Sequence, residues 1–314
     1  MAAASPGKQR AIPDGKVPAA VSVLSIVEHP SLDALRDGLH DALKEAGYTD
    51  GSSLHWVYQS AQGSQGTAAQ IARKFVGDKP DVIVPIATPA AQAVVAATHD
   101  IPVVYNAITD PVAAQLVKSM GPSGTNVTGV SDHLDAARQV AFIKRVVPKV
   151  KRVGIIYSPS EANSVSTTQD MKVALEKAGI SLLEIPAPRS VDVGQAGRRM
   201  AGKVDVIYTG NDNAVISAYE ALIKVVNDVK IPLICADKSS VQRGAAAALA
   251  IDYYKMGRQT GRMVLRILNG ESPGDIASET SDHLVITLNL EAARRQGIVL
   301  SQELRSEAYQ VFGR

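Results

Sequence analysis

The chain has 314 residues, enough for two α/β domains, and its 46% hydrophobic and 20% charged residues are typical of a packed globular protein. Its 33 basic and 31 acidic residues nearly balance, so the formal net charge is +2. The densest basic cluster, at residues 144–152, is interrupted by apolar residues and a proline. The sequence therefore gives no reason to expect nucleic acid or an anionic membrane surface as a partner.

The sequence contains no apolar stretch long enough to span a membrane and too few cysteines for an intramolecular disulfide. No apolar stretch approaches the roughly 20 residues of a membrane span, so we do not expect a membrane-embedded protein. Residues 1–20 lack the apolar core of a secretion signal, and we predict a disordered leader there. Cys235 is the single cysteine, and we interpret it as a buried, unreactive thiol.

From Val21 onward, apolar runs alternate with amphipathic stretches, which predicts βαβ units and a parallel sheet. The first helix ends at Gly47, and Pro89 suits the first position of a later helix. In chain order, the predicted elements are a strand at 21–27, a helix at 31–47, a strand at 54–59, a helix at about 65–76, a strand at 81–88, a helix from Pro89 and a strand at 102–108.

The same pattern then restarts, so two similar units follow each other, near 20–127 and 130–250. The second unit has predicted strands at 152–158, 181–187, 204–210 and 232–237, with helices between them, the first at about 162–179. Beyond it lie a strand at 247–254, a helix at 256–270, and a strand and helix within 283–297.

Elements that remain after two complete units indicate that the chain crosses between two lobes more than once. We predict three crossings, near 126–132, 247–254 and 284–289, which together would form a hinge. The predicted division has an N-terminal lobe of residues 21–127 plus 252–282 and a C-terminal lobe of 128–251 plus 283–314. The predicted fold class is therefore α/β, with two Rossmann-like lobes that contain parallel sheets.

Short polar residues follow many of the predicted strands, where ligands bind in open parallel sheets. Taken singly, each is also explained as an ordinary helix N-cap, but both units carry such a set. A free amino acid needs donors for its carboxylate and an acidic residue for its ammonium group. Four of these residues supply a negative charge: Asp110, Glu161, Asp212 and Asp237.

Enzyme signatures are absent from the sequence. It contains no GxSxG nucleophile elbow, no HExxH zinc motif and no phosphate-binding glycine loop. The single cysteine also excludes a cysteine-rich zinc site. We expect no catalytic activity, no cofactor and no metal.

The residues at these strand ends resemble a known family. The similar segments are, in order, 26–38, 86–94, 108–117, 124–132, 153–164, 204–215, 250–261 and 288–298. They make the chain similar to the ABC-transporter substrate-binding proteins, a family that includes members binding tryptophan and other aromatic amino acids. The resemblance covers residues from about 21 to 300.

The resemblance implies the type I periplasmic-binding fold and a small-molecule ligand held between the lobes. It also implies delivery of that ligand to an ABC permease driven by an ATPase, in the periplasm or another extracytoplasmic location. We expect an amino acid as the ligand, aromatic or large and apolar, and a monomeric protein.

The same resemblance carries over a set of ligand-lining residues. In the first lobe these are Thr88 and Asp110, with Glu28 and His29 in a loop that could close over the ligand side chain. In the second lobe they are Asn163, Ser164, Asp212, Asn213 and Asp237. Tyr157, like Tyr105 and Tyr208, lies near a strand end and could flank an aromatic ring, although tyrosine on a buried strand is often a core residue.

These residues suggest how a zwitterionic ligand is held. We hypothesise that Asn163 and Ser164, at a helix start, bind the carboxylate, and that Asp212 pairs with the ammonium group. Thr88 and Asp110 would approach the ligand from the first lobe. The alternative is that all five residues only cap helices.

Two other functions remain open at this point. The same fold serves as the effector-sensing domain of regulatory or signalling systems, although residues 1–20 are too short and polar for a helix-turn-helix. The chain could also bind another class of small solute.

Overall fold

A computed structural model describes residues 18–281 and 283–313, and these residues form two β-sheets against which helices pack. The first sheet contains β1 (Ala19–Ser25), β2 (Leu54–Ser60), β3 (Val82–Ile86), β4 (Val103–Ile108), β5 (Val127–Ser131) and β11 (Glu279–Thr280). Its helices are α1 (Pro30–Glu45), α2 (Gln65–Asp78), α3 (Thr88–Ala97) and α10 (Tyr253–Leu268). The strands are all parallel, in the order β11-β5-β4-β3-β1-β2. We call this part the first lobe.

The second sheet forms a second lobe. Its strands are β6 (Arg152–Tyr157), β7 (Ser181–Pro186), β8 (Val206–Thr209), β9 (Leu233–Cys235), β10 (Ala247–Ile251), β12 (Leu284–Asn289) and β13 (Gln310–Phe312). Its helices are α4 (Ala136–Val146), α5 (Ala162–Lys177), α6 (Val193–Arg199), α7 (Asn213–Ser217), α8 (Tyr219–Val229), α9 (Lys238–Arg243), α11 (Leu290–Arg295) and α12 (Gln302–Glu307). The strand order is β13-β12-β10-β9-β8-β6-β7.

The central strands are buried on both faces, which explains their continuous apolar sequences. Every residue of β3 and of β9 is buried, and each lobe has its own apolar core around such strands. Cys235, in β9, is 1% exposed, and burial raises the pKa of its thiol to about 12. The thiol is therefore neutral at physiological pH.

The described chain passes between the two sheets three times, which agrees with the predicted hinge. The first crossing follows β5, the second lies at Asp252 between β10 and α10, and the third links β11 to β12. The α/β fold with two lobes and three crossings is therefore confirmed.

One strand pair departs from the predicted parallel arrangement, because β12 runs antiparallel to β10. β10 ends at the hinge, whereas β12 begins there after the third crossing, so the two strands must run in opposite directions. The short strands β11 and β13 and the helix α12 were also absent from the sequence prediction.

Two predicted boundaries differ from the observed elements. Ala19 and Ala20, placed in the leader, are the first residues of β1, where the backbone N–H of Ala20 donates to Asp81 Oδ2 at 2.7 Å. Residues 1–17 of the predicted leader lie outside the described residues. β5 hydrogen-bonds to β4, so the first sheet extends to Ser131, beyond the boundary predicted after residue 127.

Glycine allows α1 to pack closely against the start of α10, the helix that follows the second crossing. A Cβ atom built on Gly257 would overlap the carbonyl oxygen of Leu35, and one on Gly38 would overlap that of Tyr254. Both helices therefore use glycine where they touch, which holds the start of α10 firmly in the first lobe.

Gly257→Ala should destabilise the protein by about 1–3 kcal/mol, because the added methyl group forces the two helix backbones apart. Gly77→Ala is the matched control, since Gly77 lies in α2 with open space around its Cβ position. We expect the control to unfold at the same urea concentration as the wild type or a higher one, measured by circular dichroism. Equal midpoints for both variants would show that the α1–α10 contact is loose.

Candidate functional site

The two lobes touch across a cleft at the carboxyl ends of their strands. Gln65 Nε2 of the first lobe donates to the carbonyl oxygen of Ser160 in the second, at 3.1 Å. Ser166 Oγ of α5 donates to Asp110 Oδ2 of the first lobe at 3.3 Å. Ser31 Oγ, in the first turn of α1, hydrogen-bonds to Asp237 Oδ1 across the same cleft. These bonds describe a closed cleft.

A cavity of about 270 Å³ lies between the lobes. Its lining mixes apolar and polar side chains, as is usual for a site that orients a small molecule through a few polar contacts. The first lobe contributes Ile26, Val27, Gln62, Gly63, Gln65 and Pro89, and the second contributes Ser160, Glu161, Pro188, Arg189, Ser190, Asn213, Ala214 and Ser217.

Glu161 is the acidic side chain among these lining residues, and it is 8% exposed. Its Oε2 accepts three hydrogen bonds, from Asn213 Nδ2 at 2.7 Å, from Asn163 Nδ2 at 3.1 Å and from the Asn213 backbone at 3.2 Å. Its Oε1 accepts one, from the Ala214 backbone at 3.1 Å. The two oxygens are therefore unequally occupied, and Oε1 retains capacity to accept another donor.

Burial raises the pKa of Glu161 to about 7, and the nearby Asp212 carboxylate acts in the same direction. The amide donors on Oε2 oppose this shift because they stabilise the charged form. Protonated and charged forms of Glu161 therefore coexist near neutral pH.

Asp212 lies behind Glu161, 2% exposed, and its two oxygens are fully hydrogen-bonded. Oδ2 accepts from the Ser158 backbone at 2.6 Å and from Ser164 Oγ at 2.5 Å. Oδ1 accepts from Ser158 Oγ at 3.1 Å and from the Val215 backbone at 2.9 Å, which caps α7. Asp212 and Ser164 thus connect the loop after β6 to the start of α7.

Two asparagines beside these carboxylates have side-chain oxygens without a hydrogen-bond partner among the described residues. Asn163 is 4% exposed, and its Nδ2 donates to Glu161 and to the carbonyl of Asn211, which leaves its Oδ1 unpaired. Asn211 Oδ1 is likewise buried and unpaired. Neither asparagine lines the cavity, but a buried acceptor without a donor costs about 1–3 kcal/mol, which makes these oxygens candidate ligand contacts.

The first lobe presents unpaired donors at the ends of β3 and β4. Thr88, at the start of α3, is 1% exposed, and its hydroxyl makes no hydrogen bond to the described residues. Asn106 is fully buried, and its Nδ2 is also unpaired. No side chain caps α3, which leaves the N–H groups of its first turn for another partner.

Two alanines at these strand ends have unusual backbone angles. Ala87 has φ 73° and Ala107 has φ 55°, in a region that non-glycine residues rarely adopt. Such strain is concentrated at functional sites, where the surrounding structure maintains it. Sequence reasoning missed Asn106 and both alanines. Nothing in the sequence signals a positive φ at an alanine, or an unpaired amide in the middle of an apolar strand.

His29 lies in the loop before α1 and is 7% exposed, with neither ring nitrogen hydrogen-bonded to a described residue. Burial lowers the pKa of His29, while Asp237 across the cleft acts in the opposite direction. Glu28, beside it, is exposed and accepts from Gln62 Nε2 at 3.3 Å.

Asp237 and Asp110 combine local backbone contacts with contacts across the cleft. Asp237 caps α9 by accepting from the Ser240 backbone at 2.9 Å, and its other oxygen meets Ser31. Asp110 Oδ1 accepts from the Val112 and Ala113 backbones at 3.1 and 2.9 Å. The expectation that such residues cap backbone N–H groups therefore holds for both, in addition to their contact with the opposite lobe.

The predicted tyrosines lie outside the cavity lining. Tyr157 is half-buried at the end of β6 and packs against the second-lobe core. Tyr105 and Tyr208 are core residues, 0% and 1% exposed, and Tyr105 donates its hydroxyl proton to Ser278. None of these three rings therefore lines the cavity in the closed cleft.

The hinge contains a buried carboxylate that sequence reasoning did not single out. Asp132, at the first crossing, is 1% exposed and accepts from Thr109 Oγ1 at 3.0 Å, Tyr253 OH at 2.6 Å and Asn211 Nδ2 at 3.0 Å. These donors come from the first lobe, the second crossing and the second lobe. One side chain therefore connects both lobes at the point about which they would move.

The described residues contain neither a metal-binding cluster nor a membrane-spanning helix. Within them, no group of three or more His, Cys, Asp or Glu side chains is arranged to hold a metal ion. Every helix in the same part of the chain is too short or too polar to span a bilayer.

Two α/β lobes, a three-crossing hinge and a polar cleft define a small-molecule binding protein of the type I periplasmic-binding fold. The sequence pattern of the family described as ABC transporter substrate binding protein matches residues 20–312. The chain belongs to this family, so its activity is to bind a solute for an ABC transporter and not to catalyse a reaction. Substrate-binding proteins of ABC importers act outside the cytoplasm.

A tyrosine-binding protein of Clostridioides difficile (strain R20291) is 40% identical over 276 residues, which is 88% of this chain and 80% of that protein. A Streptococcus pneumoniae ABC domain in complex with L-Trp has a TM-score of 0.90 and 35% identity, covering 94% of this chain and 100% of that one. These relatives confirm the resemblance to a family that includes aromatic-amino-acid binders.

A third comparison bears on the state of the cleft. The ligand-free, open structure of a substrate-binding protein with adhesive properties from Clostridium difficile is 37% identical, and the match covers 94% of this chain and 100% of that one. Its TM-score is only 0.72, although its identity is close to that of the L-Trp complex. This difference agrees with the hydrogen bonds between the lobes, which an open cleft would lack.

Asp212→Ala should lower the free energy of unfolding by roughly 2–4 kcal/mol, because the Ser158 and Val215 N–H groups lose a buried acceptor. The matched control is Asp228→Ala, since Asp228 is an exposed residue whose partner is the exposed Lys224. We expect the control to melt at the wild-type temperature. If the Asp212 variant also melts there, its carboxylate does not support α7.

Proposed function

We propose that the protein binds a free α-amino acid with an aromatic side chain in the cavity between its lobes. It would do so as a periplasmic or otherwise extracytoplasmic monomer that delivers the ligand to an ABC permease. The observation that carries the proposal is that the buried Asn163 and Asn211 side-chain oxygens of the second lobe, and the buried Thr88 hydroxyl and Asn106 amide of the first, have no hydrogen-bond partner among the described residues. A zwitterion presents the opposite set of groups at its two ends.

The ammonium group is assigned to the second lobe. Glu161 supplies the negative charge and a partly occupied Oε1, and Asn163 Oδ1 supplies a second acceptor beside it. We assign the ammonium group to Glu161 and not to Asp212, because Glu161 lines the cavity and its Oε1 accepts one hydrogen bond, whereas each oxygen of Asp212 accepts two. Ser164 is likewise occupied by Asp212 and the Ser158 backbone.

The carboxylate is assigned to the first lobe. The uncapped first turn of α3 carries free N–H groups and the positive end of the helix dipole, which together favour an anion. The buried hydroxyl of Thr88 provides a further donor at the same place. Pro89, the next residue, lines the cavity, which brings this turn to the ligand.

The side chain of the ligand is assigned to the apolar part of the cavity. Ile26, Val27, Pro89 and Pro188 provide this surface, and Gln62 and Gln65 border it with amide groups. Apolar walls with a few polar groups suit an aromatic ring that carries a hydroxyl or an indole N–H. The names of the tyrosine-binding relative and of the L-Trp complex support the same class.

L-Tyrosine, L-tryptophan and L-phenylalanine should stabilise the protein in a thermal-shift screen, by about 2.7 kcal/mol at a concentration one hundred times the dissociation constant. Myo-inositol and glucose should have no effect at the same concentrations. Stabilisation by the sugars alone would contradict the proposal.

Each end of the zwitterion can be tested with an analogue that lacks it. Tyrosine amide lacks the carboxylate and 3-(4-hydroxyphenyl)propionate lacks the ammonium group, and calorimetry at pH 7.5 should show each binding at least tenfold more weakly than tyrosine. Equal affinity for tyrosine and either analogue would show that the corresponding half of the assignment is wrong.

Ligand binding should also favour the closed cleft. In small-angle scattering, the radius of gyration should fall when tyrosine is added, because the bonds between Gln65 and Ser160 and between Ser166 and Asp110 can form only when the lobes meet. An unchanged scattering profile at saturating ligand would contradict hinge closure.

A further inference from the structure

We propose that binding of the amino acid displaces a proton from Glu161, so that the affinity of the cleft falls as the solution becomes acidic. The inference rests on the proposed function and adds to it a dependence of ligand capture and release on pH. It starts from the unequal hydrogen bonding of the two Glu161 oxygens.

The geometry makes a proton and the ligand ammonium compete for the same atom. Oε2 is occupied by three N–H donors, whereas Oε1 accepts only from the Ala214 backbone. A proton on Glu161 therefore belongs on Oε1, which is also the atom available to the ammonium group. The Asn163 side chain donates to Oε2 through its Nδ2 and also carries the unpaired Oδ1. Asn163 is 4% exposed.

The charged groups around Glu161 leave its negative charge uncompensated before ligand binds. Asp212 adds a second carboxylate nearby, and His29 interacts with Asp237 and lies close to Asn213. Arg189 lines the same cavity, but its guanidinium makes two hydrogen bonds to Asp192, at 2.9 and 3.0 Å. In the described part of the chain, Glu161 has no ion-pair partner.

The direction of the effect follows from these surroundings. Burial and Asp212 raise the pKa of Glu161 to about 7, so the acid form predominates below neutral pH. A bound ammonium group stabilises the charged form and lowers that pKa, so binding below pH 7 releases a proton. By linkage, the dissociation constant should fall about tenfold for each pH unit up to about 7 and then level off.

Titration of His29 can be distinguished from that of Glu161. Burial lowers its pKa from the usual value, so its ring titrates in more acidic solution than Glu161 does. Measurements between pH 7 and pH 8 therefore report mainly on Glu161, and the Glu161 variant separates the two groups in more acidic solution.

The test is isothermal titration calorimetry of the full chain with L-tyrosine, at pH 6.0, 7.0 and 8.0, in pairs of buffers with different heats of ionisation. The dependence of the observed heat on the buffer gives the number of protons released. We expect close to one proton at pH 6.0, about one half at pH 7.0 and close to zero at pH 8.0. We also expect an affinity up to about tenfold weaker at pH 6.0 than at pH 8.0.

Glu161→Gln removes the titrating group, and it should bind tyrosine more weakly at pH 8.0, without proton release and with a flat pH profile. Glu176→Gln is the matched control, because Glu176 is an exposed residue of α5, the helix that follows Glu161. The control should release protons as the wild type does. Circular dichroism establishes that both variants are folded.

An analogue gives an independent test that needs no variant. For 3-(4-hydroxyphenyl)propionate, which has no ammonium group, the wild-type affinity should rise in acid, because only the protonated Glu161 avoids an unpaired charge. The sign of the pH dependence should therefore be opposite for the two ligands.

The outcomes separate the two proposals. If tyrosine binds with the same affinity and no buffer dependence from pH 6.0 to 8.0, the proton linkage is wrong and the amino-acid site stands. Proton release that persists in the Glu161 variant assigns it to another group and overturns the inference. If tyrosine, tryptophan and phenylalanine all fail to bind at any pH, the proposed function is wrong, and the inference with it.

Discussion

A carboxylate removed from water must be given hydrogen-bond donors, and the cleft of this protein is organised around that constraint. Asp132, Asp212, Asp237 and Glu161 are all nine-tenths buried or more, and each lies where a strand meets a helix or a crossing. Their donors come from helix N-termini, hydroxyls and amides. Asp212 accepts two hydrogen bonds on each oxygen, whereas Asp132, Asp237 and Glu161 each have one oxygen that accepts a single hydrogen bond. Of the four carboxylates, Glu161 is the one that lines the cavity, and this position distinguishes it from the others.

The hinge follows the same principle. Asp132 collects donors from both lobes and from the second crossing, so its bonds must rearrange if the lobes separate. The glycines of α1 and α10 let these two helices pack closely, which keeps α10 in the first lobe. We therefore expect motion at the short crossings, as in a hinge that moves intact lobes. The higher structural similarity to the L-Trp complex than to the open, ligand-free relative agrees with the closed cleft seen here.

Closure brings together groups of opposite hydrogen-bonding character. The first lobe contributes donors near α3, with two alanines held at positive φ, and the second contributes acceptors around Glu161. Neither set is satisfied by its own lobe, and the two sets are not satisfied by each other in the closed cleft. A zwitterion between the lobes would give hydrogen-bond partners to both sets, because it carries an anion and a cation a short distance apart.

The sequence by itself determined the fold class, the order of the strands and helices and the region of the site. The alternation of apolar runs and amphipathic stretches is a local property, and the polar residues at strand ends follow from the geometry of parallel sheets. The order of the matching segments also determined the family. Those signals singled out Asn213 as a ligand-lining residue and Glu161 as a source of charge, and both line the cavity in the structure.

Only the tertiary structure decided what each of these residues does. Asp212 and Glu161 look alike in sequence and each accepts four hydrogen bonds, but only Glu161 lines the cavity, and its Oε1 accepts a single donor. The antiparallel β12, the position of Asn106 and the role of Asp132 also depend on contacts between residues far apart in the chain. Hydrogen-bond saturation is a property of the packed environment. The residue type sets how many bonds a side chain can make, and the fold decides which of them are left for a ligand.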